Sequence, residues 1–302
     1  MKEAMMVDTA WAFAQFENVR QRLPLSAAHG ASARVPNLGA LADVFDVFLF
    51  DAYGVLNVGD TPIAGAAARV AALQTMGKRT MVLTNGASFP ASNRLPKYKK
   101  YGFNFTADDV ISSRDALAAH LATLPAMRWA AMAPEGASFE GLGVGFDILE
   151  GELDIYDNAQ GFLLLGSQIW NDTRQAMLVE SLRKNPRPLL VGNPDLVAPN
   201  EHGFTLQPGI YAHWLANKTD IEPQFFGKPF SGMFSEAKRR FGAVPPARVL
   251  MIGDTLHTDI LGGAAAGFKT LLIEDHGMFR GADVGPYIAQ SGIAPDFIAP
   301  TI

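Results

Sequence analysis

Apolar residues fall into short runs bounded by turn residues, and most of these runs lead into a stretch whose apolar positions lie three or four apart. The runs at 44–50, 79–83, 248–252 and 269–273 are built from Val, Ile, Leu, Met and Phe with few polar breaks, the pattern of strands covered on both faces. Helical spacing predicts helices at 66–76, 89–101, 230–241 and 258–266, three of them stopped by Gly77, Gly102 and Gly267. A further short strand and helix fill 108–124. Strand and helix alternating in this way predict a parallel sheet wound in both directions and covered by helices. Between the two ends, runs at 129–133, 161–165 and 188–191 predict more strands, and 169–184 predicts a helix. The stretch 125–220 is long enough to be an inserted second domain, which leaves 1–124 and 221–302 as a discontinuous first domain. The first thirty residues read as an amphipathic helix that turns Ala10, Phe13, Phe16, Val19 and Leu23 toward the core.

Composition sharpens this picture. A chain of 302 residues that is 48% hydrophobic and 18% charged, with 29 Gly and 19 Pro scattered as punctuation, is a globular α/β protein with room for two domains. Its 25 basic and 30 acidic residues give a formal charge of −5 without long like-charge runs, so no nucleic-acid partner is expected. There is no cysteine, which excludes disulfides, thiolate nucleophiles and thiolate metal sites; a metal ion would need oxygen or imidazole ligands. The apolar runs fall far short of the roughly 20 residues needed to span a bilayer. Residues 1–30, with Lys2, Glu3, Asp8, Glu17, Arg20 and Arg22, lack the apolar centre of a leader peptide. A cytoplasmic protein with no membrane partner is the expectation.

In open α/β sheets, ligands bind beyond the carboxyl ends of the strands, so the residues that follow each apolar run carry the chemistry. After the first run stands Asp51-Ala-Tyr-Gly-Val-Leu56, and after the second Thr84-Asn-Gly-Ala-Ser88. Gly227-Lys-Pro229 precedes the 230–241 helix, and Gly253-Asp-Thr-Leu-His-Thr-Asp259 follows the 248–252 run. An Asp at a strand end is commonly a cap or turn residue, and a lone lysine is commonly solvated. Four such sites at one edge of one sheet are harder to explain as caps. They bring carboxylates, a hydroxyl beside an amide, and an ammonium to one crevice.

With these four segments the sequence resembles the haloacid dehalogenase superfamily, and within it the class IIA, NagD-like phosphatases. Ile111-Ser-Ser113, Gly192-Asn-Pro-Asp195, the stretch from Gly227 to Phe234 and Thr258-Asp-Ile-Leu-Gly-Gly263 add to the likeness. The resemblance implies a doubly wound, Rossmann-like core with an α/β class II cap inserted between Asn85 and Lys228. It implies Mg²⁺-dependent hydrolysis of a small phosphorylated metabolite, a sugar phosphate or nucleotide. Asp51 would be the nucleophile that forms an aspartyl-phosphate. The Mg²⁺ ligands would be Asp51, the main-chain carbonyl of Tyr53 and Asp254, with Asp259 in or near the ligand set. Thr84, the Asn85 side chain or amide, and the turn at Gly86 would bind the phosphoryl group, with Lys228 balancing its charge. Asp195, Asn193 and His202 would lie on a cap segment facing the site, with Asp195 selecting substrate. Caps of this class often help form dimers, so a homodimer is compatible with the resemblance.

Tyr53 departs from the family pattern, which has an aspartate there to protonate the leaving oxygen and activate water. A phenol is a poor base at neutral pH. Three readings follow: slow hydrolysis, a leaving group that needs no protonation, or phosphometabolite binding without catalysis. Asp-Ala-Tyr-Gly also approaches the first motif of 2-haloacid dehalogenases, an alternative that needs no Mg²⁺ and leaves Asp254 and Asp259 unexplained. His257 is a candidate substitute base, whereas His120, His202 and His213 read as surface or cap histidines. Gly141-Leu-Gly-Val-Gly145 reads as a turn.

Overall fold

The computed structural model describes residues 7–25 and 30–302. Seven parallel strands form the larger sheet, in the order Ala33–Arg34, Phe297–Ala299, Lys269–Ile273, Val249–Gly253, Val47–Phe50, Arg79–Thr84, Val110–Ser112. From Val47–Phe50 the chain first builds outward to Val110–Ser112, and on returning from the inserted region it builds the other half, beginning with Val249–Gly253. The winding therefore reverses between these two adjacent strands, and the crevice beyond their ends is where such sheets bind ligands.

Strand geometry explains why the central runs are apolar throughout. Successive side chains point to opposite faces. Phe48 and Phe50 pack with Val70 and Leu73 of the Ala66–Thr75 helix, while Val47 and Leu49 pack on the other face with Met233, Phe234 and Ala237 of the Ser231–Phe241 helix. All nine of these residues are shielded from solvent, so both faces of the strand are core.

The inserted region builds a second, five-stranded parallel sheet in the order Gln224–Phe225, Leu189–Val191, Gly161–Leu164, Trp129–Met132, Phe146–Ile148. Its last strand extends past the boundary at 220 that the sequence suggests, because Gln224 and Phe225 pair with Leu190 and Val191. One face packs on the Asp172–Lys184 and Pro208–Ala216 helices through Leu178, Leu182, Ala212 and Leu215. The other face, with Trp129, Leu163 and Leu190, packs on Leu117 and Leu121 of the Ser113–Leu121 helix of the first unit.

Several expected elements shift in register. The helix expected at 89–101 starts late, as a 3₁₀ turn at Ala91–Arg94 followed by Leu95–Lys100, since Pro90 and Pro96 restrict what precedes them. Asn171 caps Asp172–Lys184 by accepting from the Arg174 N–H at 3.0 Å, so residues 169–171 lie outside that helix. The expected N-terminal helix covers only Thr9–Asn18; residues 1–6 and 26–29 of it lie outside the described residues. Its buried face holds Ala12, Phe13 and Phe16, with Val19 and Leu23 following, whereas Ala10 is exposed and does not join that face. Among the described residues no helix is long and apolar enough to cross a membrane.

Candidate active site

Asp51 and Asp254 stand immediately beyond the ends of the two adjacent strands where the winding reverses. They line a cavity of about 430 Å³ shared with Tyr53, Thr84, Asn85, Gly86, Asp195, Lys228 and Asp259, so these nine candidates reach one space, while His202 and His257 do not. The cavity is walled by both units: Asn193, Pro199 and Gln207 of the inserted region face it as well.

Lys228 is the hub. Its ammonium, with the residue 2% exposed, pairs with Asp51 Oδ1 and lies 2.7 Å from Asp259 Oδ1. Burial on its own would lower the Lys228 pKa, but Asp259, Asp51 and Asp195 reverse this and raise it, so the group stays protonated. Burial pushes the Asp51 carboxyl well above the usual range; Lys228 opposes this while Asp259 and Asp254 reinforce it. Burial likewise raises Asp254 to about 7, with Asp259 adding to the shift. Three buried carboxylates thus share one ammonium, and the surplus negative charge is what a divalent cation would neutralise.

The local chain makes this crowding possible. Thr255 Oγ1 donates to Asp254 Oδ1 at 2.9 Å, and the Met278 N–H donates to Asp254 Oδ2 at 2.9 Å, fixing that carboxylate. Gly54 has φ 79°, and a Cβ there would fall 2.5 Å from Asp254 Oδ2, so only glycine lets the backbone after Tyr53 lie against Asp254. One oxygen from each of Asp51, Asp254 and Asp259 lies within 4.8 Å of the others. Asp259 Oδ1 is buried and, although close to Lys228, lacks a hydrogen bond of good geometry. An all-oxygen cluster with an under-satisfied acceptor fits a hard divalent cation such as Mg²⁺.

Asn85 plays a different part from the one expected. Its Nδ2 donates to Asp195 Oδ1 at 2.8 Å and to the Lys228 carbonyl at 2.9 Å, and its Oδ1 accepts from the Lys228 N–H at 2.7 Å. The side chain is fully engaged in bracing Lys228, so it is not free to hold a phosphoryl oxygen. The Thr84 hydroxyl, whose oxygen accepts from the Gly86 N–H at 3.3 Å and which keeps its own proton to donate, and the Asn85 main chain are left for that task. The Ser113 hydroxyl anchors the same turn through the Asn85 carbonyl at 2.8 Å.

His257 is not a substitute base. It is fully buried, stacked on Phe16 at 4.9 Å between ring centroids, and held at 2.5 Å from Glu17 Oε1, behind the turn that carries Asp254 and Asp259 and outside the cavity wall. His213, expected at the surface or in the cap, lies in the Pro208–Ala216 helix of the inserted region, buried against the Phe225 ring at 4.7 Å, and burial lowers its pKa to about 4. His120 is half-buried and His202 exposed, both away from the carboxylate cluster.

Three residues escape a reading of the sequence. Arg94 reaches the cavity over Gly86, where a Cβ would collide with its guanidinium. Arg114 is 1% exposed and donates to the carbonyls of Ala87 at 2.9 Å and Glu140 at 2.8 Å, tying the 84–88 turn to the inserted region. Glu201, at the tip of the Val197–Asn200 and Gly203–Leu206 hairpin, accepts from the Asp60 N–H at 2.9 Å and the Thr61 hydroxyl at 3.0 Å, closing the rim across the two units. A cation soon after the 84–88 turn was a legible signal for Arg94; nothing local marks the other two.

Family comparisons agree with this geometry. Residues 48–147 match the family model described as haloacid dehalogenase-like hydrolase, and residues 225–302 match a second, HAD-hydrolase-like one. The chain is 30% identical over 260 residues to phosphoglycolate phosphatase 2 of Arabidopsis thaliana, covering 78% of this chain and 85% of that protein. Among solved structures, a possible sugar phosphatase of the HAD superfamily from Cytophaga hutchinsonii superposes with a TM-score of 0.79 at 26% identity, over 90% of this chain and 98% of that one. A glycerol phosphate phosphatase from Mycobacterium tuberculosis, solved in complex with magnesium, gives 0.65 at 26% identity, over 85% and 75% of the two chains. The chain belongs to the haloacid dehalogenase-like hydrolases, in the class IIA, NagD-like phosphatase branch with an inserted α/β cap.

Proposed function

We propose that the protein hydrolyses small phosphomonoesters, sugar phosphates or nucleotides, through an aspartyl-phosphate on Asp51. The observation that carries this reading is the buried trio Asp51, Asp254 and Asp259 with Lys228 among them, at the switch point of the sheet. Phosphoryl transfer asks chiefly for a nucleophile in line with phosphorus and for positive charge around the oxygens. Lys228 holds one oxygen of Asp51 and thereby aims the other. Asp51, Asp254, the Tyr53 carbonyl and Asp259 would hold the Mg²⁺ that relatives of this kind carry. Bound there, the ion supplies charge neutralisation and keeps the carboxylates ionised. Thr84 and the main chain at Asn85 seat the phosphoryl oxygens.

Asp51 attacks phosphorus, the alcohol leaves, and water then opens the aspartyl-phosphate. Tyr53 brings no carboxylate to the leaving oxygen, and turnover on alkyl phosphates is slow unless another group supplies that proton. Its ring lies under the Lys97 ammonium, 5.6 Å from the centroid, and packs on the core rather than reaching for a proton. The cavity suits a substrate of sugar-phosphate size, the class on which the named relatives act. The domain limits follow the sheets, with the cap at about residues 125–226 and the core on either side of it.

Phosphate release from glycerol 3-phosphate, phosphoglycolate and p-nitrophenyl phosphate, with Mg²⁺ and with a chelator, tests the reading. Hydrolysis of at least one, lost with the chelator and in Asp51→Asn, supports it. Ligand-induced stabilisation without turnover would make the protein a phosphometabolite binder, the reading that Tyr53 favours. Halide release from chloroacetate without Mg²⁺ would make it a dehalogenase.

A further inference from the structure

We propose that Asp195, supplied by the cap, carries the proton to and from the leaving oxygen, the task for which position 53 offers no carboxylate. The proposal rests on the phosphatase reading above, with Asp51 as nucleophile.

Geometry places Asp195 for this. It lines the same cavity as Asp51 and Tyr53 and is half-buried, whereas Asp254 and Asp259 are buried. Its Oδ1 is pinned by Asn85 Nδ2 at 2.8 Å, while Oδ2 has no protein partner among the described residues. The segment that carries it is rigid. The Asp195 N–H donates to Asn193 Oδ1 at 3.0 Å, the Asp195 carbonyl accepts from the Gly209 N–H at 3.0 Å, and the Asn193 amide donates to Gln207 Oε1 at 3.1 Å. A carboxyl in the wall of the reacting cavity, held by one oxygen with the other left to exchange a proton, is the arrangement a proton carrier requires.

The electrostatic setting agrees. Burial raises the Asp195 carboxyl to about 6; the Lys228 charge and the Asn85 hydrogen bond oppose this, and Asp259 reinforces it. A group that must give a proton in one half-reaction and take one in the next works best when it titrates near the working pH. The other titratable groups facing the cavity are committed: Asp51, Asp254 and Asp259 form the carboxylate cluster, with Asp254 held by the Thr255 hydroxyl and the Met278 N–H, and the Tyr53 ring lies under Lys97. Lys228 is locked between Asp51 and Asp259, and Glu201 is held low by its own backbone N–H, the Asp60 N–H and the Thr61 hydroxyl at the rim. Asp60 pairs with Lys97 at 2.7 Å, and Arg94 is a cation with no proton to give at neutral pH.

The step balances. As an Asp51 oxygen bonds to phosphorus, the bond from phosphorus to the leaving oxygen breaks, and protonated Asp195 gives its proton to that oxygen, which departs as an alcohol. Ionised Asp195 then takes a proton from water as the water oxygen bonds to phosphorus and the Asp51–phosphorus bond breaks. Phosphate leaves, Asp51 is again a carboxylate, and Asp195 is again an acid.

Asp195→Asn tests this, because an amide still accepts from Asn85 and so preserves a purely structural role. With glycerol 3-phosphate, kcat is expected to fall about 100-fold or more. With p-nitrophenyl phosphate, whose leaving group departs without a proton, a burst of nitrophenolate equal to the enzyme concentration is expected to survive, followed by a slowed steady state. Tyr53→Asp in the Asp195→Asn background is expected to restore glycerol phosphate turnover about ten-fold or more. A rise in KM with kcat unchanged, or loss of the burst together with the steady state, would overturn the proposal, since the first marks a binding role and the second a positioning one. Failure of the underlying reading is distinguished by Asp51→Asn retaining turnover of p-nitrophenyl phosphate.

Discussion

At the scale of single residues, the site is a problem in charge. Lys228 is the one ammonium among the buried carboxylates of the cluster, and removing it leaves Asp51 and Asp259 without the cation they share. Lys228→Met is therefore expected to lower kcat by roughly 10²–10³-fold, as loss of a preorganised charge contact does, with steady-state phosphate release as the measurement. A change below about five-fold would mean that Lys228 acts mainly in folding. Asp51, Thr84, Lys228, Asp254 and Asp259 were legible because each follows an apolar run, or lies one turn beyond it, where the sheet delivers side chains to a common edge. The role of Asn85 was not legible. Sequence shows an amide beside a hydroxyl, but only the fold shows that its three hydrogen-bonding positions are taken by Lys228 and Asp195. The burial of His257 and His213 was not legible for a related reason, since a lone histidine carries no sign of whether aromatic rings will cover it.

At the scale of elements, the N-terminal helix is tied to the turn that carries Asp254 and Asp259. Phe16 stacks on His257, Phe13 meets the same ring at 5.3 Å, and Glu17 takes its Nε2, all just behind Asp254 and Asp259. Phe16 is 2% exposed, so Phe16→Ala is expected to cost about 3–5 kcal/mol. Denaturant unfolding checks this; a cost below about 1 kcal/mol would mean that the helix is an appendage. Long periodic segments such as Ala66–Thr75 and Ser231–Phe241 were legible to within a residue or so. Two-residue strands such as Asn57–Val58 and Thr61–Pro62 were not, because so few positions carry no period and their pairing comes from the turn between them.

At the scale of the whole molecule, neither unit holds the site alone. The core supplies the carboxylates, Lys228 and the 84–88 turn; the cap supplies Asp195, and its Glu201 hairpin closes the rim. That an insertion lies between Asn85 and Lys228 was legible from the long gap between site segments. Where the cap sheet ends, and the edge strands Ala33–Arg34 and Phe297–Ala299, were not, because these short strands pair with partners far away in sequence. The central claim is that Asp51 becomes phosphorylated during turnover. Acid-quenching the Mg²⁺-loaded protein within milliseconds of mixing with p-nitrophenyl phosphate, followed by peptide mass spectrometry, tests it most directly. One phosphoryl group on the peptide that contains Asp51, labile to hydroxylamine and absent from Asp51→Asn, is the predicted result; full turnover with no phosphoryl group on that peptide would contradict it.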